Sequence, residues 1–207
     1  SPTNNTLISN NSYSNGGQSG IYLYSASNNT LTSNNSYANA DTGIFLYSSA
    51  NNNTLFSNNF YSNLTIGIYI RNSAANNMLI SNNSYANSIG VELWSSYGNI
   101  FVEGHLGYDA SGNPQKNITA EVSFSNTLAE SLIFKNVHVN AAVGVSTAGF
   151  NQGGNYLLSY NQDYSTGTVR IWGNYQVAGS TLTLDYSTYT YVSTNTAPKL
   201  MRGTGHS

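Results

Sequence analysis

An all-β chain wound as a parallel solenoid is the fold class this sequence predicts, and three observations predict it. The first is a motif at a fixed interval: NNTL stands at Asn4, Asn28 and Asn52, and NNML at Asn76, 24 residues apart each time. The second is an alternation of apolar and other residues within each copy, and the third is a composition that disfavours helix. Asparagine, serine, threonine, glycine and β-branched residues dominate, and no apolar pattern of period 3.6 runs through a copy. A period in the twenties makes each copy one structural unit, stacked on its neighbours.

The elements follow in order. Each copy opens on NNTLISNNSYSN, NNTLTSNNSYAN, NNTLFSNNFYSN or NNMLISNNSYAN, in which Leu7, Leu31, Leu55 and Leu79 supply one inward position. After a variable stretch come GIYLYS, GIFLYS, GIYIRN and GVELWS. Their alternation puts Ile21 and Leu23, Ile44 and Leu46, Ile68 and Ile70, and Val91 and Leu93 on one face of a strand. Tyr22, Phe45, Tyr69 and Glu92 fall on the other. One copy is therefore two or three short strands joined by turns, one coil of the solenoid. Equivalent residues of successive coils then lie about 4.8 Å apart. A column such as Asn10, Asn34, Asn58 and Asn82 passes amide hydrogen bonds from coil to coil, whereas a column of charges at that spacing repels itself. Stacking thus accounts for a chain only 7% charged. Gly20, Gly43, Gly67 and Gly90 are expected to supply left-handed backbone at the corners.

These residues resemble the right-handed parallel β-helix repeats of NosD-like and pectate-lyase-like proteins, whose coils read N-x-I…N…G-I-x-L. The resemblance covers residues 4 to about 99 and implies the right-handed parallel β-helix. It leaves function open, since the same repeat serves lyases, glycosidases, phage spikes, surface layers and copper-maturation proteins.

After WSSYGNIF the period breaks, and the turn-rich EGHLGYDASGNPQKNIT reads as a loop inserted at about 103–117. LIFKNVHVN fits a degenerate continuation of the coils, giving a β-helix over 1–154. From residue 155 the longer alternating strands of TVRIWGNYQV and STLTLDYSTYTYVS suit antiparallel pairing, so 155–207 is expected to be a C-terminal β-strand module or cap.

Composition excludes several functions. At 207 residues and 39% hydrophobic the chain is long and apolar enough to bury a core, and disorder is not expected. A net charge of −2 with no basic cluster gives no support to nucleic-acid binding. No apolar run reaches the length of a membrane span. The absence of cysteine removes disulfides, thiolate metal sites and cysteine nucleophiles. SPTNNTL, with no basic-then-apolar leader, already belongs to the repeat and reads as a mature or truncated chain.

No catalytic and no metal site is expected, and no cofactor. The repeats hold only Asp41, Arg71 and Glu92 as charges, and the last two read as a surface ion pair. Glu103, Asp109, Glu121, Glu130, Asp163 and Asp185 are scattered. Met78, Met201, His105, His138 and His206 are too far apart to suggest a soft-metal site, so the resemblance carries coil shape and no copper role. A GGxGxD calcium motif is absent. Acceptor sequons for N-linked glycans stand at Asn4, Asn10, Asn28, Asn34, Asn52, Asn63, Asn82 and Asn117, about as many as the composition gives by chance. Tyr22, Phe45 and Tyr69 are expected to form one exposed file, with Tyr24, Tyr47 and Trp94 beside it and Arg71 interrupting. Such a stripe suits packing against other copies or stacking on sugar rings. The function expected is that of a non-enzymatic extracellular structural protein, a solenoid subunit of a surface layer, filament or fibre that self-associates end to end or laterally. The alternatives are a carbohydrate-active enzyme with its site at Glu103 to Glu130, and a glycan-binding adhesin or tail-spike module.

Overall fold

The computed structural model describes residues 2–111, 113, 115, 117, 118 and 120–124, and the strands at 131–135, 138–139, 157–162, 165–173 and 181–185. Each of the first five coils contributes three strands. Coil 1 comprises β1 (Thr6–Ile8), β2 (Asn11–Tyr13) and β3 (Ile21–Tyr24). Coil 2 comprises β4 (Thr30–Thr32), β5 (Asn35–Tyr37) and β6 (Thr42–Tyr47), and coil 3 β7 (Thr54–Phe56), β8 (Asn59–Tyr61) and β9 (Ile66–Arg71). Coil 4 comprises β10 (Met78–Ile80), β11 (Asn83–Tyr85) and β12 (Ile89–Trp94), and coil 5 β13 (Asn99–Val102), β14 (His105–Leu106) and β15 (Ala120–Phe124). Then follow β16 (Ser131–Lys135), β17 (His138–Val139), β18 (Leu157–Gln162), β19 (Ser165–Gly173) and β20 (Thr181–Asp185).

Like strands stack into three sheets. The first runs β1-β4-β7-β10-β13-β16-β20, the second β2-β5-β8-β11-β14-β17, and the third β3-β6-β9-β12-β15-β19-β18. All pairings among the described strands are parallel except β18 with β19. Register follows the repeat, with Leu7 opposite Leu31, Leu31 opposite Leu55 and Leu55 opposite Leu79. Ile21, Ile44, Ile68 and Val91 form the matching column of the third sheet. These columns meet in a continuous apolar interior that includes Leu31, Leu55, Leu79, Phe101, Ile44, Ile68 and Val91. Leu7 departs from the expected core: it is 36% exposed, because its coil has a neighbour on one side only. Ile21 is half-buried for the same reason.

Three interior asparagine ladders hold the corners. In the column read from the sequence, Asn58 donates its peptide N–H and its Nδ2 to Asn82 Oδ1, both at 2.9 Å, and Asn34 does the same to Asn58. The Nδ2 of Asn58 also donates back to the Leu31 carbonyl at 2.9 Å. Asn5, Asn29, Asn53, Asn77 and Asn99 repeat the arrangement at a second corner, and Asn15, Asn39, Asn63 and Asn87 at a third. The reason is geometric. Where the chain turns between sheets, a peptide N–H has no strand partner, and the amide oxygen one coil further on accepts it.

The glycines expected at corners act differently: Gly43, Gly67 and Gly90 lie within β6, β9 and β12. None of Gly20, Gly43, Gly67 and Gly90 has a positive φ. At Gly20, Gly43 and Gly67 a Cβ would collide, at Gly43 with the Gly67 carbonyl only 2.6 Å away and at Gly20 and Gly67 with the Oγ of Ser36 and Ser84. Left-handed residues precede the ladder asparagines, Asn4, Asn28, Asn52 and Asn76 at φ 57–59°, Ser9, Ser33, Ser57 and Ser81 at φ 52–55°, and Ser14, Ala38, Ser62 and Ala86 at φ 52–54°. Others, Ser25, Ser48, Asn72 and Ser95, follow the third-sheet strands. Such residues cost about 1–2 kcal/mol each, and the ladder bonds offset this. The triplet S-N-N thus encodes a left-handed corner, an interior amide and an outward amide.

Coil 5 carries the insertion, which begins after Leu106 and not at residue 103: His105 and Leu106 are still strand, in register with Asn83 and Ser84. Beyond residue 155, where a separate module was expected, β19 continues the third sheet parallel to β15 and β20 continues the first parallel to β16. The expected antiparallel pairing is present as the β18–β19 ribbon at the sheet edge.

Candidate functional site

The candidate functional surfaces are the outer faces of the three sheets. On the second sheet Asn11, Asn35, Asn59 and Asn83 form an outward amide ladder, each Nδ2 donating to the preceding coil's Oδ1 at 2.9, 2.9 and 2.7 Å. His105 extends it, its Nδ1 lying 2.9 Å from Asn83 Oδ1. Because the Nδ2 of Asn83 already faces Asn59, its oxygen faces His105, and Nδ1 carries the proton that is donated.

Two residues along the same strands lies a file that the sequence reading missed. Tyr13, Tyr37, Tyr61 and Tyr85 stack in register, with ring centroids 5.2, 4.8 and 5.0 Å apart and interplanar angles of 11°, 7° and 2°. The recurrence of NSY, NSY, NFY and NSY was the available signal. Rings stacked along the axis cover one another's faces and present edges and hydroxyls to solvent. Burial pushes the Tyr61 phenol up, and burial together with Tyr61 pushes Tyr85 up to about 12.

The third sheet carries the two files that were expected. Tyr22, Phe45 and Tyr69 stack at 5.3 and 4.6 Å, but only Tyr22 is well exposed, and Tyr69 is 9% exposed beneath its neighbours. Its phenol is pushed to about 12, by burial first and then by Glu92. In the second file Tyr24 and Tyr47 lie 5.7 Å apart, and the Arg71 guanidinium sits 4.3 Å from the Trp94 ring centre and 6.0 Å from Tyr47 and Tyr69. Arg71 therefore takes the place of a ring in the stack, as a cation on an aromatic face. Glu92 is opposite Tyr69, one column from Arg71, and 8% exposed.

The first sheet turns apolar along its length: Phe56 and Met78 are exposed at 44% and 41%, beside half-buried Ile80, Ile100 and Val102.

The sequons divide by side. Asn34, Asn63, Asn82 and Asn117 are buried at 0, 3, 2 and 1% exposure, and the amides of the first three are ladder members, so a glycan on any of the four is incompatible with the fold. Asn10 is exposed, yet its amide is bonded to Asn34. Asn4, Asn28 and Asn52 point outward from left-handed corners.

The acidic residues are not gathered. Glu103 occupies a left-handed corner, where Ser81 Oγ donates to it at 3.1 Å. Asp109 accepts N–H groups of Asn113 and Ser111 within its own loop, which hold its carboxyl below the usual range, the Asn113 peptide first. Asp41 accepts from Thr65 Oγ1 at 2.6 Å. The side chains of Glu121, Glu130, Asp163, Asp185, His138, Met201 and His206 lie outside the described residues. Among the described residues no group of three His, Cys, Asp or Glu is placed to hold a metal, and no helix is long and apolar enough to cross a membrane.

The family model for a right-handed β-helix region matches residues 1–106, half of the chain. The chain belongs to the right-handed β-helix family. The match takes in coils 1–4 and coil 5 as far as Leu106, and ends where the insertion begins. No curated protein and no solved structure matches this β-helix.

Proposed function

We propose that this β-helix is a non-enzymatic structural protein, the subunit of an extracellular surface layer, filament or fibre on or beyond the cell surface. The observation that carries the reading is that both interior and exterior are built as columns of like, uncharged side chains from coil to coil. Interior amides, exterior amides and tyrosine rings each make their principal contacts along the axis. Each coil is thereby tied to the next at its corners as well as along its strands, which resists bending and extension. Function on this reading is mechanical.

Self-association follows from the faces. A strand of about six residues at about 3.3 Å per residue and seven strands at about 4.8 Å give the third sheet a face of roughly 670 Å². A discrete stable dimer needs about 800 Å² per partner, so one such face supports weak, repeated contacts of the kind that build arrays.

A glycan-binding adhesin is the second reading, and Arg71 on Trp94 favours it, because there a cation is held on an aromatic face within the stack, with Glu92 in the neighbouring column. Electron microscopy over a range of protein concentrations, alongside binding and product-release assays on neutral and acidic polysaccharides, separates the readings. Filaments or sheets with no sugar product are expected. Monomers at every concentration together with released unsaturated or reducing sugars would overturn the proposal in favour of the carbohydrate-active alternative.

A further inference from the structure

We infer that the tyrosine file of the second sheet is a site of oxidative coupling, at which a peroxide-driven haem oxidant joins tyrosines of successive coils through ring carbons ortho to the hydroxyl. This goes beyond the scaffolding role and does not rest on it. The file is uninterrupted over four coils, Tyr13, Tyr37, Tyr61 and Tyr85, each in register with the next. The ring centres are 4.8–5.2 Å apart. That is close to the centre-to-centre distance of two directly bonded rings, so coupling requires rotation about the side-chain torsions and little translation. Tyr13 is 57% exposed and the other three are partly exposed, so hydroxyl edges reach solvent while ring faces are covered by one another.

The chemistry balances. Each of two phenols loses one electron and one proton, and the two phenoxyl radicals combine through their ortho carbons. The two ring hydrogens at the new bond then move to the oxygens and restore the phenols. One hydrogen peroxide takes up the two electrons and two protons and becomes two waters. Tyr85, with its phenol held up at about 12, is protonated at neutral pH, so its proton leaves with the electron to water at the exposed edge. The third sheet does not offer the same path. Phe45 breaks one of its files and Arg71 the other, and Tyr24 and Tyr47 are tilted by 35° at 5.7 Å. In a chain without cysteine, such links would join coils covalently where disulfides cannot.

The test treats the purified full chain with a haem peroxidase and limiting hydrogen peroxide, dilute enough to keep chains apart. Dityrosine fluorescence, intact mass and peptide mapping are read. The expected product is a single chain lacking two hydrogens per link, with the links joining peptides that carry neighbouring members of the file Tyr13, Tyr37, Tyr61 and Tyr85. Tyr61→Phe, which keeps the ring and hence the packing, is expected to abolish the Tyr37–Tyr61 and Tyr61–Tyr85 links and lower the total yield, leaving only the Tyr13–Tyr37 link. Tyr47→Phe is expected to leave the signal unchanged. Links found only between chains, links mapping to the third sheet, or equal yields from Tyr61→Phe and the parent chain would each overturn the inference.

Discussion

Asn58 and Asn59 are adjacent, chemically identical and both members of amide ladders, yet they face opposite sides of the same wall, so their replacement separates interior from exterior stacking. Asn58→Ala leaves the Asn34 peptide N–H without its 2.9 Å acceptor and takes one bond each from Asn34 Nδ2, Asn82 Oδ1 and the Leu31 carbonyl. One orphaned buried group at about 1–3 kcal/mol and three lost bonds at about 0.5–1.5 each sum to about 2.5–7.5 kcal/mol. That is a large part of the 5–15 kcal/mol of a typical domain. Asn59→Ala breaks two side-chain bonds, to Asn35 and from Asn83, but at a half-buried position where water replaces them, and about 0–1 kcal/mol is expected. Equilibrium urea unfolding, with hydrogen exchange to locate the loosened coils, measures both. Equal costs for the two variants, or a cost for Asn58→Ala below that for Asn59→Ala, would refute the assignment of the interior amides as the corner fastening.

Three further outcomes follow. Gly67→Ala is expected to destabilise by about 1–3 kcal/mol through collision with Ser84 Oγ and the Gly90 carbonyl at 2.9 Å, whereas Gly17→Ala, with nothing near its Cβ, is expected to be close to neutral in the same urea assay. Tyr69 and Tyr85 have folded values raised from 10.0 to about 12. The folded state therefore holds protons that the unfolded state has lost, and their contribution to stability is intact below pH 10 and lost as pH rises towards 12. A urea midpoint that declines across that window, with two phenols ionising late by absorbance, is expected; phenols that all titrate together near 10 would contradict it. Expression in a glycosylating host is expected to place glycans on Asn28 and Asn52 and on none of Asn34, Asn63, Asn82 and Asn117, as read by glycopeptide mapping. Occupancy of Asn34 or Asn82 in folded protein would contradict the burial of those amides.

The coil was legible in the sequence because its constraint is periodic. A 24-residue recurrence of NNTL and an alternating G-I-x-L are both direct consequences of stacking, and they locate Leu31, Leu55, Leu79, Ile44, Ile68 and Val91 correctly. What the repeat did not disclose depends on neighbours one coil away. Glycine beside turn formers signals a special backbone in most chains, but Gly43 and Gly67 lie within strands and make room for the next coil, and the left-handed positions fall mostly to serine and asparagine. The tyrosine file was hidden because a three-residue strand such as Asn11–Tyr13 is too short to show alternation. The side on which each sequon falls was hidden likewise, since the two asparagines of NN point in opposite directions at a corner. The C-terminal strands were half legible: β19 has the length of an antiparallel partner, which it is to β18, and its parallel pairing with β15 leaves no trace in its alternation.

The most direct test of the account is to trap the register covalently. Thr30 and Thr54 are paired across β4 and β7. Adjacent strands about 4.8 Å apart suit a disulfide, which spans about 4.4–6.8 Å between Cα atoms. The chain has no cysteine of its own, so the double variant Thr30→Cys, Thr54→Cys reports on this pair alone. Coil-on-coil stacking predicts rapid, near-complete intrachain oxidation of that pair, and slow, partial oxidation of the diagonal pair Thr30→Cys, Phe56→Cys, which lies about 7–8 Å apart. Equal closure of the two pairs, or failure of the in-register pair to close, would contradict it.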